Sequence, residues 1–232
     1  MRRGRLLLAA CAALAALVLA GLGVWQIERR AWKLALIERV DARIAAPARP
    51  LPPPAAWPAL AQDGAYLRVR LAGVWKPVRP ALVKAVTDLG GGWWVMSPLQ
   101  TATGVVLVNR GFVPDALKGS IAPVSGPAEI EGLLRLDEPG GGFLRRNDPA
   151  ADRWFSRDVR AIAHARGVRD PAPFFIDAKA EGPGWPRGGL TVVRFRNAHL
   201  VYALTWFALA GIAAVFAWAV ARRPRGAQDG RR

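Results

Sequence analysis

The sequence predicts a membrane protein in which two transmembrane α-helices flank a mainly antiparallel β domain, a barrel or sandwich with one short helix. Three observations carry this expectation. An uncharged apolar run lies near each end, proline crowds the segment after the first run, and the stretch beyond breaks into short β-branched segments cut by Gly and Pro.

The first run extends from Leu6 to Ile27 with Gln26 as its one strongly polar residue, and the second from Leu200 to Ala221, stopping at Arg222 and Arg223. At about 1.5 Å per residue, either spans a hydrocarbon core of about 30 Å. Lipid offers no hydrogen-bond partners, so both runs are expected as helices. A cleaved signal peptide fits the first run less well, because the apolar run is longer than an ordinary signal core, no convincing small-x-small site separates it from Trp25 and helical spacing continues past it. Ile27, Ala31, Leu34, Ile37 and Val40 recur at three- and four-residue intervals between charged residues, which extends the helix into an amphipathic stalk. Pro47, Pro50, Pro52, Pro53, Pro54 and Pro58 then favour extended backbone.

Strands are expected over 66–75, 81–87, 93–97, 105–113, 128–136, 174–177 and 190–195. Ser156 is placed to cap a helix running through Val159, Ile162 and Ala163 to a stop at Gly167. The glycine runs 90–92 and 140–142 read as turns, and Asp137 and Glu138 as solvated charge in a turn. The resulting organisation is 1–5 as cytoplasmic N-terminus, 6–27 as first transmembrane helix, 28–58 as stalk and proline-rich connector, 59–198 as extracytoplasmic β domain, 199–221 as second transmembrane helix and 222–232 as basic cytoplasmic tail.

Arg2, Arg3 and Arg5 before the first run, and the arginines after the second, place both ends on the cytoplasmic side, although Arg29, Arg30 and Lys33 lie just beyond the first helix on the outer side. The net charge of +16 is divided between these ends and the middle domain without a long basic run there. That pattern suits membrane lipid and an acidic partner at its surface, and no nucleic acid is expected. The single cysteine, Cys11, falls inside the first span, so the outer domain holds no disulfide and no thiolate metal site.

Catalytic signatures are missing. The two histidines, His164 and His199, form no His-Glu-x-x-His, and no phosphate loop or Gly-x-Ser-x-Gly elbow occurs. Interest falls on the outer helix ends, where an antiparallel hairpin brings Trp25 and Gln26 level with Asn197, His199 and Tyr202. His199, Tyr202 and Trp206 share one helix face by their spacing. Such residues form either an interfacial aromatic belt or a site in which the histidine ligates a haem iron or bonds a partner chain.

Gly23-Val24-Trp25-Gln26, residues 30–37 (RAWKLALI), residues 106–114 (VLVNRGFVP) and residues 197–207 (NAHLVYALTWF) together resemble the Surfeit locus protein 1 family, in the family's order and over nearly the whole chain. The stretch from Phe143 to Asp158 also looks like the family's middle region. One departure is Phe112, where the family pattern has tryptophan, so any role of that indole N–H is lost. The resemblance implies a non-enzymatic factor in assembly of haem-copper cytochrome c oxidase, in a bacterial inner membrane, assisting delivery of haem a to the catalytic subunit alongside other assembly factors. It implies a haem iron ligand at His199, and the helix-end geometry adds Tyr202, Trp206, Trp25 and Gln26 to the expected cofactor-binding site. The alternative is a scaffold that steadies the nascent oxidase core without touching haem, in which a turn at Asn109, Arg110 and Gly111 presents the contact surface.

Overall fold

The computed structural model describes residues 2–142, 144–180, 182–190 and 197–222. The chain divides into two compact units, one made of the residues up to Arg39 together with those from Arg194, the other running from Val40 to Val193.

The first unit pairs helix α1 (Arg2–Ala45) with helix α4 (His199–Arg222). Both are long and apolar enough to cross a membrane. Helix α1 continues unbroken through the expected stalk and stops before Pro47, whose ring cannot continue it. Small residues let the two helices approach. A Cβ added at Gly23 would lie 2.6 Å from the Phe207 ring, and Ala203, Ala210 and Ala217, seven residues apart on one face of α4, are buried. Leu17, Val201 and Phe216 remain exposed.

In the second unit the connector is more structured than its prolines suggest. The two-residue strand β1 (Arg49–Pro50) and a 3-10 turn over Pro54–Ala56 lead to helix α2 (Trp57–Asp63), which was not expected. Pro58 occupies its first turn, where a missing N–H costs nothing. Trp57 is buried edge-on against Phe174 at 5.7 Å, and its indole N–H donates to the Pro52 carbonyl. The connector is thereby docked onto the core.

The main strands are β2 (Arg68–Trp75), β3 (Ala81–Thr87), β4 (Gly90–Thr101), β5 (Gly104–Pro114) and β6 (Gly126–Leu136); a small hairpin of β7 (Gly141–Gly142) and β8 (Arg145–Arg146) precedes helix α3 (Val159–Ala165) and strand β9 (Pro171–Ala178). Sheet order is β1-β2-β6-β9-β5-β4-β3. Gly73 to Trp75 of β2 also pair with Leu99 to Thr101 of β4, so β2, β6, β9, β5 and β4 close into a ring. All pairings in the ring are antiparallel except β5 with β9. Closure removes most exposed strand edges.

Two cores result. Val69, Leu71, Leu99, Val106, Val108, Ile130, Leu134, Phe174 and Ile176 fill one; Val83, Met96, Leu107, Trp154, Val159, Ile162 and Phe175 fill the other, beneath α3. Strands β5 and β9 therefore bury both faces, which is why Phe174-Phe175-Ile176 shows no alternation.

Three local expectations are corrected. The N-cap of α3 is Asp158, whose carboxylate accepts the Ala161 N–H at 3.0 Å, while Ser156 is buried and donates to the Glu138 carbonyl. Asp158 wins because it directly precedes the helix and can reach its free N–H groups. The β3–β4 connection turns at Asp88 and Leu89, and Gly90, Gly91 and Gly92 all belong to strand β4. Likewise Gly141 and Gly142 pair as a short strand. The strand expected over 190–195 and the tail beyond Arg222 lie outside the described residues.

The Gly23 contact gives a direct test of the helix pairing. Gly23→Leu should lower the melting temperature of the detergent-solubilised chain, at a cost of about 1–3 kcal/mol from overpacking. Adding Phe207→Ala should recover most of the loss, because the ring that Leu would strike is then gone. Additive losses in the double variant would contradict the contact.

Candidate functional site

The geometry at the helices is built around one hydrogen bond. His199 opens α4 and Gln26 lies well inside α1, and His199 Nδ1 sits 2.7 Å from Gln26 Oε1. As the amide is oriented, its oxygen can only accept, so Nδ1 is the donor in this bond. A ring held in this way presents Nε2 as a metal ligand or acceptor. Two residues before His199, the side-chain carbonyl oxygen of Asn197 is buried with no hydrogen-bond partner among the described residues.

Gln26 and His199 are thus brought together. The remaining aromatic residues expected there are not drawn into an enclosed pocket. Trp25 is 50% and Tyr202 55% exposed, and Trp206 is half-buried. They border an open helix surface. Among the described residues no three His, Cys, Asp or Glu side chains gather to hold a metal, so His199 stands alone as a potential ligand. Gly23 and Phe207 were missed as the packing contact beside this pair, although both fall inside the motifs that carry the family resemblance.

Asn109, Arg110 and Gly111 do not form the expected turn. They lie within β5, where Arg110 and Gly111 form a bulge, two residues facing the single Val95 of β4: Asn109 pairs with Met96 and Phe112 with Trp94. Gly111 has φ +129°, and any Cβ there would collide with the backbone of Arg187 and Gly188, which pairs with Phe112 through two 2.9 Å hydrogen bonds. The close strand-to-loop approach therefore requires glycine. Asn109 is buried, accepts the Gly111 N–H and donates to Asp177. It holds the bulge.

Asp177, 6% exposed, gathers a buried charge cluster. Asn109 donates at 2.8 Å, Arg135 at 3.0 Å and Arg157 at 3.4 Å. Arg157 also grips Glu138 through two nitrogens and lies 4.7 Å over the Phe175 ring. The pair Asp137 and Glu138 is therefore not the solvated charge expected from its turn-like sequence. Burial raises the Asp137 carboxyl, even though the Val159 N–H donates to it. Burial opposes ionisation of Glu138 too, but the hydrogen bonds and charge of Arg157 outweigh it and hold that carboxyl low.

A pair of long apolar helices linked by a histidine–amide hydrogen bond, together with a closed sheet domain, defines the class of protein this is. The chain belongs to the SURF1 family, whose model matches residues 13–211. It is 36% identical over 218 residues to Surfeit locus protein 1 of Homo sapiens, covering 82% of this chain and 69% of the human protein. The mouse protein of the same name is 35% identical, over 82% of this chain and 67% of its own length. A SURF1-like protein of Monosiga brevicollis is 34% identical, over 91% of this chain and 86% of its length.

Two outcomes follow for the charge cluster. Asp177→Ala leaves Arg135 and Arg157 facing a lost counter-charge and should destabilise the chain by about 3 kcal/mol or more in chemical denaturation, with Asp177→Asn milder. Because the folded-state value of Glu138 is depressed, its stabilisation is present above the ordinary carboxylate range of about 4.3 and is lost as pH falls through the folded value. Melting temperature should therefore drop as pH falls below the ordinary carboxylate range, and Glu138→Gln should flatten that drop. An unchanged acid-side slope would rule Glu138 out as its source.

Proposed function

We propose that the protein is a non-enzymatic assembly factor for haem-copper cytochrome c oxidase, held in a bacterial inner membrane by α1 and α4, that assists delivery of haem a to the catalytic subunit alongside other assembly factors. The sheet domain lies on the periplasmic side, and the arginine-rich flanks before the first helix and after the second lie in the cytoplasm. Family membership supports the assembly role. The apolar side chains of both helices are almost wholly exposed, unlike those of a soluble core helix, and α4 is too far along the chain for a signal sequence.

The observation that carries the haem reading is the tethering of His199 Nδ1 by Gln26, which leaves Nε2 as the ring nitrogen for a guest. The residues present fit such a cargo. A histidine ring nitrogen suits haem iron, exposed Trp25 and Tyr202 with half-buried Trp206 offer a flat apolar border, and the Asn197 oxygen, without a hydrogen-bond partner among the described residues, can accept a hydrogen bond. Once delivered, haem a supplies the redox-active iron of the oxidase. The chain's own residues need only bind, orient and release it, which accords with an open face better than with a closed pocket.

Absorption spectra of the chain purified from cells that make haem a test this. Wild type should show a Soret band, His199→Ala should lose it, and Gln26→Ala should weaken haem retention about tenfold by freeing the ring. No band, or one unchanged in His199→Ala, would overturn haem binding and leave the scaffold role, in which oxidase subunits co-purify equally with both variants and the oxidase keeps its haem.

A further inference from the structure

The outer stretch of α1 carries a group of side chains that the haem reading does not use. Arg29, Arg30 and Lys33 follow closely on the apolar run that ends at Ile27, and Trp32 stands among them. The helix is unbroken here, so its rise sets their depth. At about 1.5 Å per residue they lie about 3–9 Å past the end of the run, and the headgroup layer on each side of a bilayer is about 5–8 Å thick. Cations at this end run against the usual bias toward the cytoplasmic side and need a reason of their own.

Helical spacing gathers them. Arg29 and Lys33 are four residues apart and Arg30 and Lys33 three, so the three side chains are neighbours on the helix surface. The one acid within residues 28–33, Glu28, stands three and four residues from Ala31 and Trp32 and so does not face a cation. Among the described residues, the ion pairs engage other cations. Trp32 is 55% exposed, and the Arg29 guanidinium lies 4.5 Å over its ring. Arg29 is itself exposed, with Arg30 and Lys33 half-buried. Like charges held this close repel one another, and a bound anion removes that cost.

We propose that this collar binds the phosphate headgroup of an acidic phospholipid in the leaflet at the outer end of α1. The inference rests on the reading of α1 as a membrane span. The two guanidinium groups and the ammonium donate to the phosphodiester oxygens, and the indole of Trp32 packs at the level where headgroup meets acyl chain. Depth favours a lipid over an acidic protein, because cations at that level are surrounded by headgroups.

Site-directed quenching of the full chain in phosphatidylcholine vesicles tests this. Cys11→Ser combined with Ala31→Cys puts a dansyl label at an exposed position of the collar. Phosphatidylglycerol or phosphatidylcholine bearing a nitroxide high on its acyl chain is then introduced in separate titrations. The phosphatidylglycerol should reach half-maximal quenching at a mole fraction about fivefold or more below that of the phosphatidylcholine. Arg29→Gln, Arg30→Gln and Lys33→Gln together should merge the two curves, whereas Arg3→Gln with Arg5→Gln, at the far end of the helix, should leave them apart. Equal quenching by both lipids, a preference that survives loss of the collar, or one that vanishes with Arg3 and Arg5 would overturn the site while leaving the span intact. Quenching by neither lipid would overturn the span, and the site with it.

Discussion

A polar side chain on an apolar helix has to find a partner, and the pairing of Gln26 with His199 is the constraint on which the helix unit depends. Leaving either group unpaired away from water costs more than the bond itself gains. The pairing fixes the relative depth of α1 and α4 near their contact, and Gly23 makes room for Phe207 three residues earlier on α1. It also fixes the chemistry. With Nδ1 committed to the amide oxygen, the ring is held in one orientation, and Trp25 and Tyr202 are left exposed.

The sheet unit solves a different problem. Pairing β2 back onto β4 closes the ring, and the parallel joint of β5 with β9 puts apolar side chains on both faces of those strands. The bulge at Arg110 and Gly111 bends β5, and Asn109 ties that bend to Asp177, where Arg135 and Arg157 meet. One buried carboxylate therefore joins β5, β6 and β9 to the segment that enters α3.

Much of this is legible in the chain. Alternating segments such as 81–87 identify their strands because each buries one face, and the uncharged runs identify both long helices. What escapes depends on contacts distant in sequence. Strand β9 extends beyond its expected bounds because Pro171 and Ala178 pair only once β5 and β6 are in place. Helix α2 is masked by the prolines around it, and its reason to form is the burial of Trp57 against Phe174, more than a hundred residues away in sequence. Asn109-Arg110-Gly111 looks like a turn because Asn and Gly favour turns, yet Gly serves here for a bulge pressed against Arg187. Glu138 looks solvated because its partner Arg157 is remote in sequence. The candidate helix site is the most legible of all, since helical spacing and antiparallel pairing are enough to place Gln26 beside His199; the orientation of the imidazole is not legible, because it rests on a single bond.

That orientation is the claim most open to measurement. Nitrogen-15 spectra of the full chain labelled at histidine, with His199 assigned by its absence in His199→Ala, report which ring nitrogen carries the proton. The account predicts a protonated Nδ1 and an unprotonated Nε2, with the tautomer preference lost in Gln26→Leu. A proton on Nε2, or a spectrum indifferent to Gln26, would contradict it.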